Sequence, residues 1–218
     1  MTVMKIIAIF GVLTKFEEAS SQQCEPTSPD ILGPFYVRGA PDRNGTVCEG
    51  NVPEPLVITG RLFDADCLTP IQGAMHVWQT DQTSRYSMVD GDRSTDFRCR
   101  AVVRTNANGE YEMRTTYPGA YPGRPRHIHV FAYADANEQT QQQSDTDDDD
   151  DDEVWYQSLV TQVYFTEDPL RQSRRVLCSG CQRTSQVISS EIVSDRITGQ
   201  PVRMATWNVY LQRGRSFG

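Results

Sequence analysis

The chain of 218 residues is long enough for one domain with a full hydrophobic core and too short for two large ones. Its formal net charge is −8, but the tract formed by Asp145, residues 147–152 and Glu153 supplies eight acids, so the rest of the chain is close to neutral. No lysine follows Lys15 and the arginines are scattered, which argues against a nucleic-acid-binding surface.

The first 21 residues are predicted to form a secretory signal peptide. Lys5 precedes an apolar run at residues 6–13, and the small residues 19–21 permit cleavage before Gln22. The run is too short for a permanent membrane anchor, so no membrane association is expected. A hydrophobic first helix or strand is the alternative interpretation.

Cysteine usage and a glycosylation motif also favour a secreted protein. Six cysteines follow the predicted cleavage point, an even number that permits three disulfides: Cys24, Cys48, Cys67, Cys99, Cys178 and Cys181. Asn44-Gly45-Thr46 is a sequon for N-glycosylation. The close pair Cys178 and Cys181 resembles half of a zinc knuckle, which needs a second Cys/His pair. No second pair remains if the two histidines described below bind another metal, so disulfide bonding is favoured. The sequence leaves the pairing open.

After an irregular arm at residues 22–54, short β-like runs recur along the chain. They lie at residues 56–63, 74–80, 101–105, 110–116, 127–134, 159–166, 186–194 and 206–212. Asn106-Ala107-Asn108-Gly109 is typical of a hairpin turn, and no segment has a convincing long helical period. The predicted fold is all-β, a β-sandwich of mixed short strands with long irregular loops, forming a single domain over residues 22–218.

Residues 136–153 interrupt this pattern with a low-complexity insert that ends in the acidic run. Such a composition cannot bury a core, so we expect a long, disordered surface loop. A calcium-binding or substrate-repelling role is the alternative. Consecutive aspartates lack the spaced ligands and the turn glycine of a calcium loop, which favours the solvated loop.

The segment Arg124-Pro125-Arg126-His127-Ile128-His129 contains two of the three histidines. It begins a predicted strand, and side chains two residues apart on a strand point to the same face. His127 and His129 can therefore converge on one point while Ile128 enters a core. Two neutral imidazoles are half of a metal site. The third histidine, His76, is interpreted as a packing or surface residue.

Two tyrosines extend this candidate metal set. Tyr121 lies in a turn rich in proline and glycine, and Tyr86 follows the strand that ends at Thr80. Phenolate is a strong anionic oxygen ligand for a hard trivalent ion such as Fe(III), whereas tyrosine would be unusual at zinc. Taken singly, each tyrosine is more often a structural residue, and so is an isolated His-x-His pair.

Several motifs, in order along the chain, resemble the intradiol ring-cleaving dioxygenases, which open catechol rings at a non-haem Fe(III) centre. They run from the arm into the predicted strand at residues 159–166: Leu32-Gly33-Pro34-Phe35-Tyr36, Ile58-Thr59-Gly60-Arg61, Pro70-Ile71-Gln72-Gly73-Ala74, Val77-Trp78-Gln79, Arg85-Tyr86-Ser87, Pro118-Gly119-Ala120-Tyr121-Pro122, Arg124 to His129, and Thr161-Gln162-Val163-Tyr164-Phe165. The Arg-Pro-x-His-x-His element is the most specific of them.

The resemblance implies a role for each matching residue. Four residues would bind the iron: Tyr86, Tyr121, His127 and His129. Arg124 would stabilise charge on the reacting substrate and Gln162 would support that arginine. Ile31 and Pro34 would lie near the substrate ring.

The implied activity is intradiol cleavage of catecholic rings by O2, giving muconic-type diacids. The helical N-terminal domain that dimeric relatives use is not recognisable in the sequence, so an open site and a monomer are expected. One alternative is a catalytically inactive secreted β-sandwich that binds phenolics. Another is a zinc hydrolase built on the two histidines, for which the sequence offers no well-placed carboxylate near the pair.

Overall fold

A computed structural model describes residues 25–50, 52–89, 96–135, 155–173, 178, 180–195 and 198–215. The predicted signal peptide, residues 1–21, and the predicted disordered insert, residues 136–153, lie outside this part of the chain. Within the described residues, no helix is long and apolar enough to cross a membrane.

The described chain is built mainly of strands. They are β1 (Pro55–Phe63), β2 (Gly73–Trp78), β3 (Arg100–Arg104), β4 (Glu110–Thr116), β5 (His127–Ala134), β6 (Trp155–Phe165), β7 (Val187–Ile188), β8 (Ser190–Ser194), β9 (Pro201–Thr206), β10 (Val209–Tyr210) and β11 (Gln212–Arg215). Short 3-10 turns at Pro169–Gln172, Gly180–Gln182 and Thr184–Gln186 connect β6 to β7. The all-β prediction is confirmed.

The strands form two mixed sheets. The first sheet has the order β10-β1-β9-β8, with β4 also paired to β1, and the second has the order β11-β6-β5-β2-β3, with β7 beside β6. In the second sheet, β5 lies between β2 and β6 and is antiparallel to both. Their register brings Trp78, His129 and Gln162 into one row across three strands.

The hydrophobic core lies on the opposite face of the second sheet from that row. On β5, Ile128, Val130 and Ala132 are fully buried and alternate with the two histidines. They pack with apolar side chains of both sheets, among them Leu56, Ile58, Met75, Val77, Met113, Val163 and Phe165. Burial of this apolar area stabilises the sandwich by roughly 25 cal/mol per Å². The strand period of two thus separates core residues from candidate site residues.

Two predicted strands are divided in the structure. Residues 186–194 contain β7 and β8, which belong to different sheets. Residues 206–212 do not form a continuous strand, because the chain leaves β9 after Thr206 and re-enters the sheet as β10. The chain still runs close beside β1 in the register of β9, and between β9 and β10 only Trp207 and Asn208 lack a strand partner. There the N–H of Arg61 donates to the side-chain oxygen of Asn208 at 3.0 Å, and the indole N–H of Trp207 donates to Ser185 O at 3.0 Å. Gly60 permits this approach, since a Cβ there would lie 1.8 Å from Trp207 O.

Disulfides fasten the irregular segments. Cys48, at the end of the arm, is bonded to Cys99, which directly precedes β3. Cys178 and Cys181 are bonded to each other, and Cys67 is disulfide-bonded as well. The expected oxidised state of these cysteines is therefore confirmed, which favours disulfide bonding of the close pair over a zinc knuckle.

Candidate metal centre

The N-terminal arm covers the outer face of the second sheet. At one side, the backbone N–H of Asp30 donates to Val160 O in β6 at 2.9 Å, and at the other the N–H of Val102 in β3 donates to Pro41 O at 2.9 Å. Between these anchors, Gly33 lies on His129: a Cβ at Gly33 would be 3.1 Å from the imidazole Cε1. The arm thus covers the face of the sheet that bears both histidines.

Four predicted ligands come together beneath this arm. His129 Nε2 lies 3.1 Å from Tyr86 Oη. That oxygen is 3.3 Å from His127 Nε2, which is also 3.3 Å from Tyr121 Oη. Adjacent donor atoms that bind one ion at about 2.1 Å lie roughly 3 Å apart, so two phenols and two imidazoles fit around a single metal ion.

The hydrogen bonding of His127 also suits a metal ligand. Its Nδ1 lies 2.6 Å from Pro125 O, and because a carbonyl can only accept, Nδ1 carries the proton. Nε2 is then the unprotonated nitrogen facing the two phenols. A ring N–H held by a backbone carbonyl is the usual support for a metal-binding histidine.

Burial keeps both imidazoles neutral. It lowers the pKa of His127 to about 4, and it lowers the pKa of His129 well below the ordinary value, with a further contribution from the adjacent His127. Burial, together with the neighbouring Tyr121, raises the pKa of the Tyr86 phenol. In the absence of a cation this pocket favours neutral groups, and a bound cation would supply the charge that phenolate formation requires.

The loop after β2 fixes Tyr86 through a buried arginine that the sequence did not single out. Arg100 Nη2 donates to Ser87 O at 2.8 Å and its Nη1 donates to Phe35 O at 2.6 Å. The Phe35 ring stacks on the Tyr86 ring at 4.5 Å between centroids. Arg100 therefore joins the arm to the loop that bears Tyr86. Its sequence signal is weak, namely an arginine at the start of an apolar strand.

A glycine-bounded turn brings Tyr121 toward Tyr86. The backbone N–H of Gly119 donates to Asp81 O at 3.2 Å, and a Cβ at Gly119 would lie 2.6 Å from Ser84 N. This close contact between the two loops requires glycine. Tyr86 is almost fully buried, whereas Tyr121 is partly exposed.

Arg124 and Gln162 also lie together, as predicted. Arg124 Nη2 donates to Gln162 Oε1 at 2.5 Å and to Tyr164 Oη at 3.2 Å. Gln162 is fully buried, lies opposite His129 in the register, and donates through Nε2 to Ile31 O at 2.8 Å. Arg124 Nε is a buried donor without a hydrogen-bond partner in the described part of the chain. Tyr164 was missed as a contact of this arginine.

The two predicted substrate-contact residues lie on the arm beside the site. Ile31 has 58% of its surface exposed, and Pro34 is exposed and follows Gly33. The carbonyl of Ile31, rather than its side chain, is bound by Gln162. Their contact with a substrate stays a prediction. The interpretation of His76 as a packing residue fits its contacts with Tyr36 Oη at 3.0 Å and Tyr133 Oη at 3.1 Å.

Carboxylates and thiolates do not assemble into an alternative metal site in the described ranges. No group of three or more His, Cys, Asp or Glu residues there is placed to hold an ion. The donors that converge are the mixed phenol and imidazole set.

Comparison with known proteins connects this geometry to a family. The family model described as "Dioxygenase" matches residues 31–213. Hydroxyquinol 1,2-dioxygenase of Rhizobium sp. (strain MTP-10005) is 34% identical over 95 residues, which are 42% of this chain and 32% of that protein. Catechol 1,2-dioxygenase 2 of Acinetobacter lwoffii is 33% identical over 103 residues, 46% of this chain and 37% of that protein. The matched segment spans about a third of the length of these curated relatives.

Solved structures share the fold over most of the chain. The dioxygenase domain of a dioxygenase carbohydrate-binding protein fusion from Streptomyces sp. SirexAA-E is 26% identical, with a TM-score of 0.63 over 87% of this chain and 100% of that one. Catechol 1,2-dioxygenase from Acinetobacter sp. ADP1 is 25% identical, with a TM-score of 0.67 over 86% of this chain and 63% of that one.

Proposed function

The chain belongs to the intradiol ring-cleaving dioxygenase family, and from this premise we propose that it cleaves catecholic rings with O2 at a non-haem Fe(III) centre, giving muconic-type diacids. The observation that carries the proposal is the convergence of Tyr86, Tyr121, His127 and His129 beneath the arm. We assign these four residues as the iron ligands.

The donor chemistry favours ferric iron over zinc. Anionic phenolate oxygens match a hard trivalent cation, and zinc sites use histidine, cysteine or carboxylate ligands. Fe(III) bound there would lower the pKa of both catechol hydroxyls and withdraw electron density from the ring. Proton uptake and the stabilisation of negative charge on the ring depend on side chains of the protein.

Tyr121 is the phenol suited to take up a proton from the substrate. Tyr86 is enclosed by Phe35 and by the loop that Arg100 holds, so its position is fixed. Tyr121 is partly exposed on a short turn closed by Gly123, whose φ is +83°. If Tyr121 held the iron as a phenolate, its Oη would be the group placed to accept one of the two catechol protons.

Arg124 is suited to stabilise negative charge on the reacting ring. A guanidinium remains charged at any working pH, and preorganised positive charge in a site of restricted water access is an effective catalytic device. Gln162 fixes this arginine through Oε1 and is itself tied to the arm through Ile31 O.

We propose that catechols and O2 are the substrates, that Ile31 and Pro34 contact the ring, and that the mature protein is monomeric. We also propose that residues 1–21 direct export. The bonded cysteines and the exposed sequon residue Asn44 support an oxidising, extracellular setting.

Oxygen consumption by the iron-loaded protein with a panel of catechols tests the activity. We expect uptake of O2, and mass spectrometry should identify a diacid opened between the two hydroxyl-bearing carbons. Binding of catechols without O2 uptake would refute catalysis and support a phenolic-binding protein instead. Metal analysis that finds zinc in the active form would refute the iron assignment.

A further inference from the structure

Tyr164 joins Arg124 to a carboxylate on the arm. Its hydroxyl oxygen has three polar neighbours: Arg124 Nη2 at 3.2 Å, Gln162 Oε1 at 3.0 Å and Asp30 Oδ2 at 2.9 Å. Tyr164 is fully buried and lies opposite His127 in the register of β5 and β6. The arginine, the amide and the phenol thus form one hydrogen-bond network, and Asp30 joins it through the phenol.

The number of available protons determines the direction of each hydrogen bond in this network. The phenol has one proton, and both Gln162 Oε1 and Asp30 Oδ2 are acceptors for it. A carboxylate is a much stronger acceptor than an amide oxygen, so the proton lies toward Asp30. The phenol oxygen then accepts from Arg124 Nη2, and Gln162 Oε1 is free to accept the other proton of that nitrogen. In this arrangement the Tyr164 phenol, Gln162 Oε1 and Arg124 Nη2 all have hydrogen-bond partners.

The carboxylate of Asp30 is held from several sides. Its Oδ1 accepts from the N–H of Ile31 at 2.8 Å, and its Oδ2 accepts from Gln186 Nε2 at 3.3 Å. Gly180 packs against it so closely that a Cβ there would lie 2.0 Å from Oδ2. The backbone of Asp30 is also bonded to β6 through Val160 O. The acceptor that orients the Tyr164 proton is therefore fixed relative to the sheet.

We propose that Asp30 is a positioning residue that acts through Tyr164 to hold Arg124 in one orientation. The inference rests on the proposed function for its catalytic consequence, while the geometry itself stands independently. Without the carboxylate, the Tyr164 proton can turn to Gln162 Oε1 and compete there with Arg124. The guanidinium then loses its defined partners and samples several orientations.

The variant Asp30→Asn keeps the shape and removes the charge. We expect kcat of the iron-loaded enzyme for catechol to fall about tenfold, with KM changed less than about twofold, because Arg124 acts on charge that develops during reaction. Glu191→Gln is the matched control: it removes one negative charge from an exposed position on β8 of the other sheet and should leave kcat unchanged.

A double-mutant cycle with Tyr164→Phe identifies the route of the effect. If Asp30 acts through the Tyr164 hydroxyl, Tyr164→Phe lowers kcat by a similar factor and adding Asp30→Asn lowers it no further. Asp30 also contacts the arm through the Ile31 N–H, and a role confined to the arm would instead raise KM and persist in the Tyr164→Phe background. That result, or an unchanged kcat for Asp30→Asn, would overturn the proposal.

A measurement on the metal-free protein separates this proposal from the proposed function. The guanidinium NMR signal of Arg124, identified as the one lost in Arg124→Lys, should exchange slowly with solvent in the wild type. Its exchange should become faster in both Asp30→Asn and Tyr164→Phe and stay slow in Glu191→Gln. Equal exchange in all proteins would refute the positioning role, whereas a wild type that consumes no O2 would refute only the function.

Discussion

Trp78 stacks flat on His129, with ring centroids 4.8 Å apart and 8° between the planes. His127 is oriented by its hydrogen bond to Pro125 O, but His129 Nδ1 is buried without a hydrogen-bond partner in the described part of the chain. The two histidines of the pair are therefore held by different means: one by a hydrogen bond, the other by an indole face and by Gly33 on the arm.

Removal of the indole should therefore weaken metal binding. We expect Trp78→Leu to lower iron affinity about tenfold, which is the lower end of the effect of residues that orient metal ligands. Trp78→Phe, which keeps a flat ring, should lose less. Chelator competition followed by metal analysis measures both, and an equal affinity in the leucine variant would show that stacking does not orient His129.

The two tyrosines should differ in their contributions to the site. We expect Tyr86→Phe to lose most of the iron, because Tyr86 is the buried phenol within reach of both imidazoles. Tyr121→Phe should retain iron, shift the visible phenolate-to-iron absorption band and slow turnover at least tenfold through loss of the proton acceptor. Metal content and visible spectra check the assignment, and unchanged spectrum and rate in Tyr121→Phe would contradict it.

Replacement of Arg124 should affect turnover more than binding. We expect Arg124→Gln to lower kcat roughly 100-fold, in the range found when one charge-stabilising donor is removed. Arg124→Lys keeps the charge but not the planar fork, so it should be intermediate. Anaerobic titration with catechol, followed by its visible band, should give affinities within a few-fold of wild type. A parallel loss of affinity would assign Arg124 to ground-state binding.

Arg100 should be important for stability. Its guanidinium is buried and bonded to Phe35 O and Ser87 O, so Arg100→Met leaves two carbonyls without their donor. We expect a loss of about 2–4 kcal/mol in the free energy of unfolding. The exposed Arg61, which pairs with Glu110, is the control: Arg61→Met should cost less than about 1 kcal/mol. Urea denaturation of both variants tests the contrast.

The disulfide Cys48–Cys99 should stabilise the arm and the fold together. It spans 51 positions of sequence, for which the loop-entropy relation gives a stabilisation of about 4 kcal/mol. The double variant Cys48→Ala/Cys99→Ala should lose this amount in chemical denaturation. The Cys178–Cys181 bridge spans only 3 positions, so its removal should cost distinctly less. Equal losses would show that loop length does not govern either bridge.

The sequence alone was sufficient for the centre of the site but not for its surroundings. The alternation of His127, Ile128 and His129 follows from the strand period, and the structure places Ile128 in the core with both imidazoles on the outer face. Tyr86 and Tyr121 lie on separate loops, so local pattern could not bring them together, and the family resemblance supplied that step. The structure places both phenol oxygens 3.3 Å from His127 Nε2.

Contacts that depend on the path of an irregular segment could not be predicted. Asp30 meets Tyr164, and Arg100 meets Phe35, because the arm crosses the second sheet from β6 to β3, and no periodicity encodes that crossing. The single strand expected at residues 206–212 failed for a similar reason. Its apolar and β-favouring residues fit a strand, but the side chain of Asn208 accepts from the Arg61 N–H, and residues 207–208 are left out of the strand pairing.

The candidate site lies between the arm, here called the roof, and the second sheet, here called the floor. The two parts differ in whether they take part in the packing between the sheets. The floor residues His127, His129 and Gln162 share their strands with the core, so any change that shifts them also disturbs packing between the sheets. The roof residues Ile31 and Pro34 belong to a segment outside that packing. Substitution of the Ile31 and Pro34 side chains is therefore expected to alter which molecules reach the floor while the packing of the sandwich is preserved, which makes these two positions natural places for substrate range to diverge between related chains.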